Sequence, residues 1–355
     1  MAKLNLPRVR WNGPACGALG ILLASCQFAH ARDSSPALAR IRAREVLRCG
    51  IDFEEAEYTT ADENGNRAAF DADLCRAVAI AVLGADARVV VSQYPDDAAA
   101  IAALNGGQVD MVPTLPDDFT HATTMHLAFT RPVLWDGVGF LLLSSSPVTR
   151  ARQLNGKKIC FLAETEVEET TRAWFAREHL DFVPFPFQEE GEMQAAFSTG
   201  NCGALTGDRT RLAQTRAAMK LHGRSTRLVP ETISKDPLAA AVRDEDREWL
   251  KIVSWVIEGL LQAEQSGITA SNVLDLQSHE AEQSDPERRF LLGASHQVGS
   301  ALGLGNDWVV RVIHATGNYG EIYERTLGSG SPMKLPRGDN RLNRDGGLML
   351  ALPPK

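Results

Sequence analysis

The sequence predicts an α/β protein with two lobes joined by a two-strand hinge. Short apolar segments that are typical of buried strands alternate with amphipathic helical segments, a pattern that indicates parallel-type sheets. The alternation begins again after Gly139, and a chain of 355 residues is long enough to bury two cores. We therefore expect the chain to cross between lobes near residues 140–145 and to return near 228–238.

The first lobe is predicted to begin with residues 36–139. Its expected strands are the apolar runs at 46–51, 88–92 and 109–113. A helix is predicted at 71–83, where Leu74, Val78 and Val82 recur at four-residue steps after an acidic start. A second helix is predicted at 96–104.

The second lobe is predicted for residues 140–237. Its expected strands lie at 140–143, 158–162, 181–185 and 203–206, and its expected helices at 166–177, at 188–198 and from Asp208 onward. The first lobe then resumes at 238–355 with a long amphipathic helix at 245–264 and a C-terminal extension. Such folds bind ligands between the lobes, at strand carboxyl ends and helix N-termini.

Residues 1–31 have the pattern of a signal peptide. Lys3, Arg8 and Arg10 precede a short apolar core, and residues 29–31 (AHA) form a cleavage signal. Residues 23–26 (LASC) also match a lipidation motif, which would anchor the protein through Cys26. We expect an exported periplasmic protein, soluble or lipid-anchored.

Composition and motifs exclude several functions. The formal charge is −8, from 37 basic and 45 acidic residues, whereas nucleic-acid binding needs a basic surplus. No nucleophile elbow, Walker A loop, dinucleotide fingerprint or HExxH motif occurs, and His121 and His126 are wrongly spaced for a shared helix face. We expect no nucleic-acid partner, no cofactor, no metal and no catalytic residue.

Four cysteines remain after the signal peptide, namely Cys49, Cys75, Cys160 and Cys202. In an oxidising compartment they allow three pairings. The pairs 49–75 and 160–202 are favoured because the members of each pair fall in one predicted unit.

Ordered motifs over residues 36–355 resemble a known family. They include the segments 70–77 (FDADLCRA), 107–110 (GQVD), 206–209 (TGDR), 317–325 (GNYGEIYER), 334–338 (KLPRG) and 346–349 (GGLM). The chain is similar in these segments to the periplasmic general L-amino-acid-binding proteins, which are substrate-binding subunits of ABC importers. The resemblance implies the type II periplasmic-binding-protein fold, whose lobes close on the ligand.

The family's ligand clamp implies site residues for this chain. Asp208 matches the aspartate that binds the ligand ammonium, although an aspartate at a helix start also caps helices. Thr165 matches the first threonine of a Gly-Thr-Thr turn, and Asp71 matches the aspartate of a Gly-x-Asp motif.

The sequence departs from the family where the ligand carboxylate would bind. The clamp arginine would fall near Ala122, in a segment where Thr114 and His121 are the remaining candidates. Residues 164–166 (ETE) replace the Gly-Thr-Thr turn, and residues 57–59 (EYT) replace a Gly-Phe-Ser region. Arg131 could substitute for the missing arginine; a guanidinium beside Asp208 would contradict this account of a lost clamp.

The sequence thus predicts a monomeric solute-binding protein of an ABC importer. It would bind a small amino-acid-like solute and deliver it to permease subunits with an associated ATPase. Glu164, Glu166 and Asp208 favour a cationic or amine-rich ligand. Two alternatives stay open, namely a periplasmic sensor or adaptor that has lost its ligand and an enzyme on the same scaffold.

Overall fold

The computed structural model describes residues 35–52, 60–61, 67–68, 70–294 and 297–353. The predicted signal peptide, the lipidation cysteine Cys26 and residues 57–59 lie outside these ranges. In the described part of the chain, no helix combines the length and the apolar character needed to cross a bilayer.

The first lobe is built on two small groups of strands. Strands β1 (Val46–Asp52) and β4 (Arg88–Tyr94) pair in parallel. Between them in sequence, β2 (Thr60–Ala61) and β3 (Arg67–Ala68) pair antiparallel as a short hairpin. Strand β12 (Asp236–Arg243) pairs antiparallel with β5 (Val112–Pro116) on one edge and β6 (Leu127–Asp136) on the other. A parallel bridge from Cys49 to Met111 joins the two groups.

The second lobe is one five-stranded sheet with the order β11-β7-β10-β8-β9. Its strands are β7 (Val138–Leu143), β8 (Lys158–Leu162), β9 (Val183–Phe187), β10 (Ala204–Asp208) and β11 (Thr226–Leu228). Strands β10, β8 and β9 run parallel, so their carboxyl ends meet at one edge, where Asp208 ends β10.

Helices cover both lobes. Those before the second sheet are α1 (Pro36–Arg44), α2 (Phe70–Leu83), α3 (Asp97–Asn105) and α4 (Phe119–Thr124). Those of the second lobe are α5 (Glu166–Arg177), α6 (Glu190–Ser198) and α7 (Arg209–Leu221). Those that follow are α8 (Arg247–Gln265), α9 (Val273–Ser278), α10 (Pro286–Leu291), α11 (Gln297–Ser300), α12 (Trp308–Thr316) and α13 (Tyr319–Thr326).

The two lobes are joined by a two-strand hinge, as the sequence predicts. The chain crosses at Gly137 and returns between Leu228 and Asp236, and the two crossings lie side by side because the Ile233 N–H donates to the Val138 carbonyl over 2.8 Å. The chain first crosses slightly before the predicted stretch 140–145, because the apolar strand β7 already begins at Val138. The domain bounds 36–139, 238–355 and 140–237 remain a prediction.

Glycine is required at the first crossing. Gly137 has a φ of +153°, and a Cβ there would lie 2.5 Å from the backbone carbonyl oxygen of Ser234 on the returning strand. Any larger residue would push the crossings apart, because a backbone carbonyl cannot swing away as a flexible side chain can. The close approach of the two hinge strands therefore depends on this residue.

The core of the first lobe surrounds helices α2 and α8. Trp249 of α8 is buried and donates from Nε1 to the Asp110 carbonyl over 3.0 Å. Phe70 meets the ring of Tyr319 edge-on at 6.1 Å between centroids, and the buried Tyr319 hydroxyl donates to the Val133 carbonyl. These contacts dock the C-terminal helices onto the sheet that carries the hinge.

Both predicted disulfides are present. The bond between Cys49 and Cys75 ties β1 to α2, with 6.5 Å between Cα atoms. The bond between Cys160 and Cys202 ties β8 to the segment before β10, with 5.8 Å between Cα atoms. Each bond therefore lies within one lobe, as the favoured pairing requires.

Candidate functional site

A cleft of about 470 Å³ opens between the sheets of the two lobes. This volume is within the range of small-molecule sites. The first lobe contributes the carboxyl end of β5, the ends of β6 and β12 that face the hinge, and residues of the C-terminal extension. The second lobe contributes the N-termini of α5, α6 and α7, which all begin at this edge of the sheet.

The cleft is strongly acidic. From the described parts of the chain, eight carboxylate side chains line it, namely Asp97, Asp117, Asp118, Asp136, Glu166, Glu190, Asp208 and Asp236. Among the described residues of its lining, Arg211 is the only cationic side chain. Threonine hydroxyls and apolar side chains such as Leu134, Met193 and Met333 complete the walls.

Asp208 lies at the junction of β10 and α7 and faces the cleft. It occupies the N-cap position of α7, but its side chain makes no capping hydrogen bond, so its carboxylate is not committed to the helix. Burial, together with the neighbouring charges of Asp136 and Asp236, raises the pKa of Asp208 to about 7. A cation beside this carboxylate would relieve that repulsion and stabilise its charged form.

Asp136 has a different role in the same wall. It is buried, and its Oδ1 accepts the Gly137 N–H over 2.9 Å while its Oδ2 accepts from the Thr210 hydroxyl. Burial nevertheless raises its pKa. Asp136 therefore connects the hinge to the start of α7, the helix that follows Asp208.

The turn before α5 brings Thr165 and Glu166 to the cleft. The Thr165 hydroxyl donates to the Leu162 carbonyl over 2.8 Å and accepts the Glu168 N–H over 3.3 Å, so it caps the helix. Glu164 has a φ of +61° and is exposed, and it is not among the lining residues. Of the two carboxylates expected here, Glu166 faces the cleft.

Thr114 and Asp71 form a pair in the first lobe. Thr114 lines the cleft and donates from its hydroxyl to Oδ2 of Asp71 over 2.7 Å. Asp71 is buried behind it at 1% exposure and does not line the cleft. Asp71 thus acts on the cleft by orienting Thr114.

The segment that departs from the family brings acidic groups to the cleft. Asp117 and Asp118 line it, and burial next to Asp118 raises the pKa of Asp117. Burial also acts to raise the pKa of Asp118, but hydrogen bonds from His121 outweigh it and lower this pKa. His121 lies against Asp118, with 2.6 Å from Nδ1 to Oδ2, and neither it nor Ala122 is among the lining residues.

A guanidinium does lie in the cleft, which the sequence analysis did not anticipate. Arg211, three residues after Asp208, forms an ion pair with Glu190, with 2.8 Å from Nη2 to Oε2. Arg131 is elsewhere and contacts Glu258 and the Leu350 carbonyl. A guanidinium in the cleft near Asp208 contradicts the prediction of a lost clamp, although Arg211 comes from the second lobe and already has Glu190 as its partner.

The sequence contains a clue to the position of Arg211 and an ambiguous one to that of Glu190. Residues at positions i and i+3 share a helix face, so a helix that presents Asp208 to a cleft also presents Arg211. Glu190 stands at a helix start beside Glu189, where an acidic pair is more often solvated than functional. Only the sheet order shows that α6 and α7 begin at the same edge.

Comparison with known proteins shows similarity over nearly the whole chain. The sequence is 35% identical over 325 residues to the general L-amino acid-binding periplasmic protein AapJ of Rhizobium johnstonii, covering 90% of this chain and 93% of the relative. It is 35% identical over 321 residues to the glutamate/glutamine/aspartate/asparagine-binding protein BztA of Rhodobacter capsulatus, covering 90% and 94%. No protein-family model matches the sequence.

A solved structure shares the fold. An ABC transporter periplasmic binding protein from Brucella ovis, with glutathione bound, is 34% identical to this chain, with a TM-score of 0.74, covering 89% of this chain and 98% of the other. The bilobal sheets, the two-strand hinge and the interlobe cleft are those of type II periplasmic binding proteins. The chain belongs to the family of amino-acid-binding periplasmic proteins that serve ABC transporters as substrate-binding subunits.

Proposed function

We propose that this chain binds a positively charged amino-acid-like solute in its interlobe cleft and delivers it to the permease subunits of an ABC importer. The observation that carries the proposal is the charge of the lining, to which the residues that the structure describes contribute eight carboxylates and one guanidinium. An opposite charge placed within a few ångströms stabilises each ionised carboxylate, whereas an anionic ligand would add to the repulsion.

The ligand class follows from the chemistry of both lobes. Asp208 of the second lobe lines the cleft and would receive an ammonium group, and Thr114 would add a hydroxyl from the first lobe. Asp97, Asp117 and Asp118 face the same space and would attract a second positive group. A solute with two cationic groups, such as a basic amino acid or a short basic peptide, matches this arrangement.

The relatives support the general class of ligand but not its charge. BztA is named for glutamate, glutamine, aspartate and asparagine, and the Brucella ovis protein holds glutathione. We expect acidic amino acids and glutathione, which carry surplus carboxylates, to bind poorly to the acidic walls of this cleft.

We further infer that the mature protein is a monomer, is soluble in the periplasm rather than anchored through Cys26, and catalyses no reaction. The cleavage signal at residues 29–31 supports a soluble mature protein, and the negative net charge supports a monomer. A solute carrier needs a hinge and a cleft, and the relatives named above are binding proteins rather than enzymes.

A thermal-shift panel on the mature chain tests the proposal. Basic, neutral and acidic L-amino acids, glutathione and polyamines are each added at millimolar concentration. A ligand at a hundred times its Kd stabilises the folded state by about 2.7 kcal/mol, which gives a visible rise in Tm. We expect the largest shifts with basic compounds. Shifts confined to neutral or acidic compounds, or no shift with any compound, would contradict the proposal.

Binding should depend on pH because Asp208 titrates near neutrality. With a pKa of about 7 in the free protein, this carboxyl is mostly ionised at pH 8 and mostly protonated at pH 6. A cation requires the ionised form, so its Kd should rise roughly tenfold as the pH falls from 8 to 6. Calorimetric titration with arginine, whose own charge is constant over this range, measures the effect. A Kd that is flat across these pH values would contradict the role of Asp208.

A further inference from the structure

The ion pair between Arg211 and Glu190 is a feature of the cleft that the proposed function leaves unused. The guanidinium donates from Nη2 to Oε2 over 2.8 Å, and Nε lies 3.5 Å from Oε1. The two side chains come from α7 and α6 and both line the cleft. The pair therefore lies on the binding surface itself and not in the core between the helices.

This pair is accessible enough to exchange. The Arg211 and Glu190 side chains are 33% and 30% exposed. Half-buried pairs of this kind contribute little net stability, because each charge gives up hydration for the contact. A second carboxylate that enters the cleft can therefore replace Glu190 at small cost, while Gln194 continues to donate to Glu190 over 2.9 Å.

The position of Arg211 relative to Asp208 adds a second argument. The two residues are three apart at the start of α7, so they share one face of the helix. A carboxylate and a guanidinium side by side complement the ammonium and carboxylate of a zwitterion. The carboxylates of the first lobe, Asp97, Asp117 and Asp118, then face the cationic side chain of the same ligand.

We propose that Arg211 binds the carboxylate of the ligand and that Glu190 occupies this guanidinium as an internal competitor until the ligand arrives. The arginine thus replaces, from the second lobe, the clamp residue that is missing at Ala122 of the first. This inference rests on the proposed function, since it assumes that a cationic solute enters the cleft. It narrows the proposed class of cationic amino-acid-like solutes to basic amino acids or peptides that carry a free carboxylate.

The test compares two ligands that differ only in the carboxylate. Arginine and agmatine share the guanidinium side chain and an amine, but agmatine lacks the carboxylate. We expect the wild-type protein to bind arginine at least tenfold more tightly than agmatine. The variant Arg211→Gln should lose at least tenfold in arginine affinity without losing agmatine affinity, and Glu190→Gln should gain several-fold for arginine alone.

Agmatine binding in each variant serves as the check that the cleft is folded. Arg172→Gln is the matched control, because Arg172 pairs with Glu168 on the same lobe but does not line the cleft. Equal effects of Arg211→Gln on both ligands would overturn the inference but would not contradict the proposal that the acidic cleft binds a cation. Failure of the wild-type protein to bind either compound would overturn the proposed function, and the inference with it.

Discussion

Replacing Asp208 with asparagine should weaken the binding of a cationic ligand by about a hundred- to a thousandfold. Removing one partner of a desolvated charge pair costs about 3–4 kcal/mol, and each 1.4 kcal/mol is about a tenfold change in Kd. The asparagine would keep the size of the side chain but could not carry the charge that an ammonium group needs. Calorimetric titration of Asp208→Asn with arginine measures the loss.

The Asp208→Asn substitution should weaken ligand binding without lowering the free energy of unfolding of the ligand-free protein. The pKa of Asp208 is about 7 in the folded protein, above its ordinary value of 3.8. As the pH rises, the Asp208 carboxyl therefore ionises first in the unfolded chain. Above pH 3.8 this residue lowers the free energy of unfolding. The Asp208→Asn protein should therefore be at least as stable as the wild type at pH 7 in the absence of ligand. Asp275→Asn, whose side chain is 80% exposed and outside the cleft, is the matched control. Retention of arginine binding by Asp208→Asn would contradict the assignment of the ammonium site.

Removing the disulfide between Cys160 and Cys202 should lower the free energy of unfolding by about 2–5 kcal/mol. The bond closes a loop with a sequence separation of 42 residues, and both cysteines are buried beside the strands that end at the cleft. Its loss enlarges the ensemble of unfolded conformations and leaves a gap in the second core. Urea denaturation of the Cys160→Ala/Cys202→Ala protein measures the change.

A reductant provides the control for this substitution. It should lower the urea midpoint of the wild-type protein by more than that of the double variant, which retains only the bond between Cys49 and Cys75. Identical midpoints for the variant and the oxidised wild-type protein would show that the bond adds no stability.

Much of the fold follows from sequence pattern alone. The helix predicted at 71–83 is found at Phe70–Leu83, and four of the second lobe's five strands lie within a few residues of their predicted positions, whereas β11 was not predicted. Strands β6 and β12 were not predicted as strands. Pro132 interrupts the apolar alternation of β6, and β12 is rich in alanine, which has a low strand propensity. Their pairing with each other, which has register irregularities, is decided by tertiary contacts.

The candidate site could be predicted only in part. Asp208, Thr165 and Thr114 line the cleft, whereas Asp71 lies behind Thr114 and neither Glu164 nor His121 is among the lining residues. Glu164 lies in a turn with a positive φ, and Glu166 at the start of α5 lines the cleft; a residue pattern alone does not reveal which of the two does so. The ligand-binding roles of these six residues stay predictions.

Several acidic residues of the cleft look like ordinary helix starts in the sequence. Asp117, Asp118 and Glu190 stand in acidic pairs or at N-termini, where carboxylates are common because they stabilise the helix dipole. What gives them a shared role is that helices of both lobes begin at the same cleft. This convergence depends on the strand order and on the hinge, and neither can be predicted from the sequence around these acidic residues.

The most direct test of a cation-binding cleft compares arginine with citrulline. The two amino acids have nearly the same shape, and they differ in that the side chain of arginine is charged and that of citrulline is neutral. Equilibrium dialysis or calorimetry on the mature wild-type protein gives both dissociation constants. We predict that arginine binds at least tenfold more tightly, which corresponds to about 1.4 kcal/mol. Equal binding of the two, or tighter binding of citrulline, would contradict the account.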